Sequence, residues 1–191
     1  MEIVAWVALV VTLVSLIAWR LTYTAARLDR LHGRVEGTVS ALDAQLVRRA
    51  EASLELARSG GLDQVSSLFL GAAATASLEM ADHEEVTSEV REQGIRPDRE
   101  AAENALTEAL AEVLTPEVVA DLRERGGAGA EGVALIASAG KRVQLSRRFY
   151  NDAVRDVRRV RAKRLVRWFR LAGRTALPQS IDFDDSLPAT L

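Results

Sequence analysis

Residues 3–19 read IVAWVALVVTLVSLIAW, an uncharged run bounded by Glu2 and Arg20. As a helix, this run extends about 26 Å, slightly less than a hydrocarbon core of about 30 Å. It is apolar on every side, which is typical of a lipid-facing helix rather than a helix with one buried stripe. We therefore predict a transmembrane anchor over residues 1–23. Three aromatic residues lie near its ends, where amphipathic rings favour the membrane interface: Trp6, Trp19 and Tyr23.

The alternative for this run is a cleaved secretory signal, which predicts a basic start and a small-residue cleavage site. The chain begins Met1-Glu2, and the run ends in bulky residues at Ile17 and Trp19, so an uncleaved anchor is the better interpretation. Arginines follow the run at positions 20, 27, 30 and 34, whereas none precedes it. The positive-inside rule therefore predicts a single-pass protein of the cell membrane, with its N-terminus outside and its body in the cytoplasm.

The rest of the chain is long enough for one domain with its own core, which we place at residues 24–174, followed by an acidic C-terminal tail at 175–191. There is no cysteine, which excludes disulfides, thiolate nucleophiles and cysteine-type zinc sites. Charge is unevenly distributed. Residues 79–124 carry fourteen acidic and four basic side chains, whereas residues 141–174 carry thirteen basic and two acidic ones. Such blocks indicate either mutual pairing or an anionic partner for the basic one.

Helix-forming residues dominate the body, and strand patterns are nearly absent. We expect the first helix to continue out of the membrane until Ser59-Gly60-Gly61, since glycine accepts the C-cap conformation. Its predicted buried stripe is Leu28, Leu31, Val35, Val39, Leu42, Leu46, Ala50, Leu54 and Ala57. A second helix is predicted from about Leu62 to Glu92. Its predicted buried stripe is Val65, Phe69, Ala72, Ala76, Met80, His83, Val86 and Val90.

The second half of the body contains three further signals. Pro97 is expected near the start of a third helix, and Thr115-Pro116 is expected to break or restart it. Residues 126–129, GGAG, form the clearest predicted loop. A last helix is predicted from about Glu131 to Leu171. Its apolar residues alternate at three and four, as in coiled coils: Ile136, Ala139, Val143, Ser146, Tyr150, Ala153, Val157 and Val160.

These features predict an all-α fold in which the transmembrane helix is continuous with an antiparallel four-helix bundle. In that topology the arginine-rich end of the last helix lies beside the membrane. The candidate residues for contact with anionic lipid or a partner are Arg158, Arg161, Arg164, Arg167 and Trp168. Pairing with the acidic end of the second helix, from Glu79 to Glu89, is the alternative and remains open here. Nucleic acid is not expected as a partner, because no recognised binding motif accompanies the basic stretch.

Motifs for chemistry are missing from the sequence. The two histidines, His32 and His83, are not spaced as metal ligands, and no nucleophile elbow is present. Gly140-Lys141 does not complete a phosphate-binding loop, since Leu135 and Arg142 occupy positions that need glycine and serine or threonine. We therefore predict no catalytic, metal or cofactor site, and no enzymatic activity.

Residues 147–154, RRFYNDAV, resemble the Arg-x-x-Tyr-Asn-x-x-Val signature of the LemA family. The matching positions are Arg147, Tyr150, Asn151 and Val154. Residues 45–49, QLVRR, and the DFDD ending at 182–185 are also similar to that family, of which the chain resembles a divergent member. The resemblance implies a membrane-anchored antiparallel helical bundle and no agreed enzymatic activity.

Independently of the resemblance, the signature has a structural interpretation. The Tyr150 ring can pack in the seam of the last helix while its hydroxyl finds a partner, and Asn151 can bond a neighbouring helix and set its register. We therefore expect a structural role for this pair rather than a ligand role. The functional hypothesis is a membrane-bound scaffold or adaptor with an unidentified protein partner, in a fold that also allows a homo-oligomer. The alternative is a module that binds anionic lipid or remodels membranes.

Overall fold

The computed structural model describes residues 2–82, 95–169 and 176–191. All regular structure in these three ranges is helical, which confirms the predicted all-α class. The helices are α1 (Glu2–Arg58), α2 (Gln64–Asp82), α3 (Pro97–Val113), α4 (Pro116–Arg125), α5 (Gly127–Arg161) and α6 (Arg164–Trp168). Predictions for His83, Glu84, Glu85, Val86, Glu89 and Val90 lie outside the described residues.

Helix α1 is unbroken for 57 residues, so the predicted continuity between the apolar run and the body is confirmed. Its apolar part, which we call the apolar segment (residues 3–19), is fully exposed, and among the described helices α1 is the one with a candidate membrane span. From Leu28 onward one stripe of α1 is buried, as predicted, except that Leu31 and Leu54 are only partly buried. The helix ends at Ser59-Gly60, where Gly60 has a positive φ of 74° that glycine adopts without strain.

Helix α5 packs antiparallel to α1 along a long seam. At one end Leu28 of α1 clusters with Val160 of α5, and at the other Leu56 of α1 lies against Gly132 of α5. Residues between them, including Leu42 and Val157, are fully buried. The predicted seam of the last helix is therefore confirmed, except that Ser146 is only half-buried.

Helix ends follow the local signals. The Asp63 carboxylate caps α2 by accepting hydrogen bonds from the backbone N–H groups of Val65 and Ser66. Pro97 is the first residue of α3, as predicted. Thr115 caps α4, and its hydroxyl accepts from the backbone N–H of Val118.

The prediction of a loop over residues 126–129 is wrong, because α5 begins at Gly127. The chain changes direction between α4 and α5 at Gly126 and Gly127, which have positive φ values of 70° and 66°. The glycines that follow serve packing instead. A Cβ on Gly129 would lie 2.8 Å from Cδ2 of Leu122, so only glycine lets α4 and α5 approach this closely.

The last predicted helix is also interrupted. It ends at Arg161, and a turn at Ala162-Lys163 separates it from the short helix α6. Val166 of α6 is buried against Leu28, so the turn folds an apolar side chain back onto α1. Burial of that side chain favours the break over a straight helix, which would carry Val166 past the body.

The buried stripe predicted for α2 is wrong in its described part. Val65 is 76% exposed and Phe69 43% exposed, and Ala72 and Ala76 are exposed as well. The opposite side of α2 is buried instead: Leu70, Ala74 and Ser77. Residues 64–78 contain no charged side chain, so periodicity alone could not decide which side of α2 faces the core.

Candidate functional site

A buried cluster of charged side chains joins α1, α2 and α3. Glu103 of α3 is fully buried, and its Oε2 accepts a hydrogen bond of 2.8 Å from Arg49 Nη2 of α1. Its Oε1 accepts from Arg99 Nε at 3.0 Å and from the Ser77 hydroxyl of α2 at 2.7 Å. One carboxylate therefore ties three helices together, and loss of any one charged partner would leave a buried charge unpaired.

Two further groups extend this cluster. Arg99 Nη2 donates to Asp43 Oδ1 at 3.1 Å, and burial raises the pKa of the Asp43 carboxyl although Arg99 opposes the shift. The Thr107 hydroxyl accepts from Arg49 Nη1 and lies 2.7 Å from the backbone carbonyl of Asp184. The cluster thus reaches from the core to the C-terminal tail.

The sequence interpretation missed this cluster, although a signal existed. Arg49 falls among the buried positions of α1, three residues after Leu46, and Glu103 falls three residues before Leu106 on α3. A charged residue at a core position of each of two helices indicates a buried pair.

Residues 176–191, called here the C-terminal tail, run along α5 without regular structure of their own. Ile181 and Phe183 are buried in the same apolar cluster as Val39 and Tyr150. The tail is therefore part of the core on this side of the body, through its apolar side chains as well as its polar groups.

A row of side chains on one face of α5, the donor row, bonds the tail. Its members are Gln144, Arg147, Tyr150, Asn151, Arg158 and Arg161. Consecutive members are separated by one, three or seven positions, which places them on one side of a helix. Arg147 bonds a side chain of the tail instead of its backbone. Its guanidinium donates two hydrogen bonds, of 2.7 and 2.9 Å, to the Asp185 carboxylate, and the Phe183 ring lies under it.

The family signature lies at the centre of this row. The Tyr150 hydroxyl donates to the carbonyl of Gln179 at 2.7 Å, and burial raises its pKa to about 12. The Asn151 side-chain amide bonds both the carbonyl and the N–H of Ile181, each at 3.0 Å. The expectation that Asn151 bonds a neighbouring helix is therefore wrong, because its partner is the tail. Val154, the last residue of the signature, is fully buried.

The basic end of the body lies beside Leu28, where the buried stripe of α1 begins. Of the candidate contact residues, Arg158 and Arg161 donate to the carbonyls of Pro178 and Ala176. Arg164, Arg167 and Trp168 are exposed, and Trp168 is 83% exposed. The structure thus divides the predicted set into two residues held by the tail and three that face outward.

Part of the charge at this end is paired within the body. Arg155 and Arg159 pair with Asp152 and Asp156 of α5 itself, and Arg34 approaches Asp156 at 3.9 Å. In the described part of α2, Glu79 lines a cleft together with Asp43 of α1. Asp43 lies fifteen residues beyond Leu28, which is the α1 residue that clusters with the basic end. That spacing corresponds to about 22 Å along the helix. Glu79 therefore lies too far away to pair with the basic end.

An open apolar groove lies between α1 and α2. It is lined by Leu54, Ala57, Arg58, Gln64, Ser67, Leu68, Gly71, Ala72, Thr75, Ala76 and Glu79. The exposed side of α2 forms one wall of this groove, and α1 forms the other. Among the described residues no group of three or more acidic or histidine side chains is placed to hold a metal ion.

Comparisons with known proteins found no relative of this chain. No protein-family model matches the chain, no curated protein matches it and no solved structure matches it. The resemblance to the LemA family stays a prediction, and the function must be inferred from the geometry alone.

Proposed function

We propose that the chain is a non-enzymatic, single-pass membrane protein whose cytoplasmic helical body acts as a scaffold or adaptor. The observation that supports this most directly is the unbroken course of α1 from the exposed apolar segment into the packed stripe that begins at Leu28. Because α1 contains no flexible linker, the position and direction of the apolar segment would determine those of the body. The body would therefore stand at a defined height and orientation above the bilayer.

We infer that the body is the antiparallel four-helix bundle expected from the sequence, with α3 and α4 together forming its third element. The antiparallel seam between α1 and α5 supports this arrangement. The bonds of Glu103 to Arg49 and Ser77 support it as well, because they bring α1, α2 and α3 side by side.

Anchoring and orientation can be tested together, because the chain has no cysteine of its own. Single-cysteine variants Glu2→Cys and Glu108→Cys report on the two sides of the membrane. We expect a membrane-impermeant maleimide to label the first on intact cells and the second only after lysis. Labelling of both on intact cells would contradict the orientation, and release of the protein by alkaline carbonate would contradict the anchor.

The scaffold hypothesis needs its own test, which is in-cell cross-linking of the full chain followed by mass spectrometry. We expect one protein partner at near-equal stoichiometry. Cross-links confined to the chain itself, with anionic lipid co-purifying, would instead favour the second candidate.

That second candidate is contact with anionic lipid, and helix α6 favours it. Val166 holds α6 against Leu28, which is about 8 Å beyond Tyr23 along α1. This is the depth of a headgroup layer if the span extends to Tyr23. The exposed Trp168, with Arg164 and Arg167 beside it, has the composition of a membrane-surface contact, in which each arginine contributes about 1 kcal/mol.

Trp168 is also the natural probe of this contact. In a Trp6→Phe and Trp19→Phe background it is the single tryptophan, so its fluorescence reports one position. We expect brominated lipid to quench it in vesicles that contain phosphatidylglycerol, and Arg164→Gln with Arg167→Gln to remove the quenching. Arg158→Gln with Arg161→Gln is the matched control, because those arginines bond the tail. Equal quenching in purely zwitterionic vesicles would contradict a role for charge.

A further inference from the structure

We propose that the surface of α3 and α5 that holds the C-terminal tail is a peptide-recognition site, and that a protein partner binds there by replacing the tail with an extended acidic segment of its own. The proposal rests on the scaffold function above and describes the chemistry of its partner. The surface is called here the tail slot. Its residues are Asn104 and Thr107 of α3 with Gly140, Gln144, Arg147 and Asn151 of α5.

The tail slot bonds main-chain groups, which every peptide possesses. The Asn151 side chain bonds both the N–H and the carbonyl of Ile181, each at 3.0 Å. On α3, Asn104 accepts from the N–H of Asp184 at 2.7 Å, and the Thr107 hydroxyl lies 2.7 Å from the carbonyl oxygen of the same residue. Peptide-binding domains use main-chain hydrogen bonds in the same way to hold an extended ligand. Because these bonds do not involve the tail's own side chains, another extended segment can make them.

Alternate side chains of the tail face the body. Ile181 and Phe183 are buried, and residues 185 and 187 are partly buried. The residues between them are exposed, namely Asp182, Asp184 and Ser186. This period of two is that of an extended chain with one side against a surface. Side chains at every second position therefore determine which segment the slot accepts.

Two of these positions have partners of defined chemistry in the slot. The Arg147 guanidinium holds the Asp185 carboxylate with two hydrogen bonds, a geometry that selects a carboxylate. A Cβ on Gly140 would overlap the Leu187 side chain, so this glycine makes the room in which Leu187 lies. Together with the two buried residues, these contacts define the pattern Ile-x-Phe-x-Asp-x-Leu for the segment that binds.

Charge and position favour an acidic protein segment as the occupant. Residues 181–187 contain three acidic side chains and no basic one. The body directs basic side chains at the tail, namely Lys141, Arg147, Arg158 and Arg161. The slot shares an apolar cluster with Val39, which lies 20 residues or about 30 Å beyond Trp19 along α1. With the proposed anchor, that distance places the slot in water, where a peptide rather than a lipid headgroup reaches it.

The tail is the resident occupant, so a partner must replace it. An empty slot would expose Val39 and Tyr150, which pack with residues 181 and 183 of the tail. Exchange of one segment for another is therefore favoured over simple release. Only seven residues join Trp168 to Ala176, and a short connection gives an effective concentration on the order of 1 mM. A partner held at the same membrane surface can match that concentration, whereas a free peptide competes only with a weakened tail.

Peptide binding by the full chain in nanodiscs tests this proposal. The probe is a fluorescent synthetic peptide with the sequence of residues 176–191, ALPQSIDFDDSLPATL. Phe183→Ser with Asp185→Asn weakens the resident tail and leaves the slot intact. We expect this variant to bind the peptide at least tenfold more tightly than the unmodified chain, and not to bind a scrambled peptide of the same composition. Adding Asn151→Leu should weaken binding at least tenfold, whereas Arg148→Gln, exposed on the same helix, should change it less than twofold.

Three results would overturn the proposal. Absence of binding by a folded variant with a weakened tail would make the tail a structural element only, and Asp185→Asn alone serves as the milder variant if the double one does not fold. Binding that is unaffected by Asn151→Leu would place the peptide elsewhere on the body. Assembly of the tail-weakened chain with the unmodified chain, without added peptide, would assign the slot to the tail of a second copy.

In-cell cross-linking separates this proposal from the scaffold function. We expect Asn151→Leu to reduce cross-linking of the partner at least tenfold relative to Arg148→Gln. A partner captured equally by both variants would leave the scaffold function intact and refute the slot as its binding site. Peptide binding without any cellular partner would uphold the slot as a recognition site and refute the scaffold function.

Discussion

Helices α5 and α2 both carry apolar residues at three- and four-residue spacing, but they use them differently. Helix α5 buries its stripe against α1, with Ile136, Val143 and Val157 fully buried. Helix α2 exposes Val65 and Phe69 at the corresponding positions. On α5 the other positions are rich in charge, so only one side can face the core. On α2 residues 64–78 carry no charge, so over most of this helix the spacing does not determine the orientation.

Polar contacts and small side chains decide the orientation of α2. The Ser77 hydroxyl donates to the buried Glu103 carboxylate, which fixes one side of α2 toward α3 and α1. Gly71 faces α1 on the neighbouring side, since a Cβ there would lie 3.7 Å from that of Ala57. Where a stretch of helix lacks charge, a buried hydrogen bond and small side chains can thus favour one face for packing.

The largest predicted difference between α5 and α2 is their response to the same charge placed on each stripe. Val157→Asp puts a carboxylate in the fully buried seam of α5, and we expect it to cost more than about 4 kcal/mol of unfolding free energy. Val65→Asp on α2 should change that free energy by less than about 0.5 kcal/mol. Thermal unfolding followed by circular dichroism, on dilute monomer in nanodiscs, checks both. Equal losses would show that the Val65 side is buried in the body.

The next prediction tests the cluster that orients α2. Glu103→Ala removes the carboxylate but leaves Arg49 and Arg99 buried, which should cost about 3–5 kcal/mol. Asp121→Ala is the control, because its pair with Arg125 is exposed and contributes at most about 0.5 kcal/mol. Urea unfolding measures both losses, and hydrogen exchange over residues 64–82 should rise only in the first variant. A cost below about 1 kcal/mol for Glu103→Ala would show that the cluster does not hold the three helices.

A smaller effect concerns the tail that covers α5. The pKa of Tyr150 is about 12 in the folded chain and about 10 when unfolded, so folding holds the proton. This contribution to stability is complete below pH 10 and is lost as the pH rises through 12, by about 3 kcal/mol in total. Tyr150→Phe should abolish that loss and cost about 1–2 kcal/mol at pH 8, because the bond to Gln179 is gone.

Tyr23→Phe serves as the control for this pH dependence, since Tyr23 is exposed on α1. Stability curves from pH 8 to 12 should coincide for Tyr23→Phe and the unmodified chain. If the loss above pH 10 survived in Tyr150→Phe, its source would not be the phenol that holds the tail.

The smallest predicted effect concerns two glycines, one on α2 and one on α5, at which these helices approach α1. Gly71→Ala on α2 adds a methyl in ordinary contact with Ala57, so it should gain about 0.5–1 kcal/mol from helix propensity. Gly132→Ala on α5 places a Cβ 3.1 Å and 3.2 Å from Cδ1 and Cβ of the buried Leu56. We expect a net loss of about 1 kcal/mol there, because a tight core resists added volume. A gain in both variants, measured by urea unfolding, would show that the seam is looser than this.

The local features of this chain were readable from sequence because their causes lie within a few residues. An uncharged run marks the candidate span, Gly60 and Pro116 mark helix boundaries, and charge on one side of α5 leaves one stripe to bury. Errors arose where local preference was weak or overridden. Residues 127–129 belong to α5, in which Gly129 lies against Leu122, and the helix breaks after Arg161 where Val166 can reach Leu28.

The tertiary structure alone decided which groups meet over long separations in sequence. Arg49 and Glu103 form a buried pair across 54 residues, and Asn151 bonds Ile181 of the tail across 30. No local pattern contains such pairings, because each depends on how two helices rotate about their axes and on where the tail lies. A hydrogen bond inside a core has a strict distance and direction, so the packing of the whole body decides whether it forms.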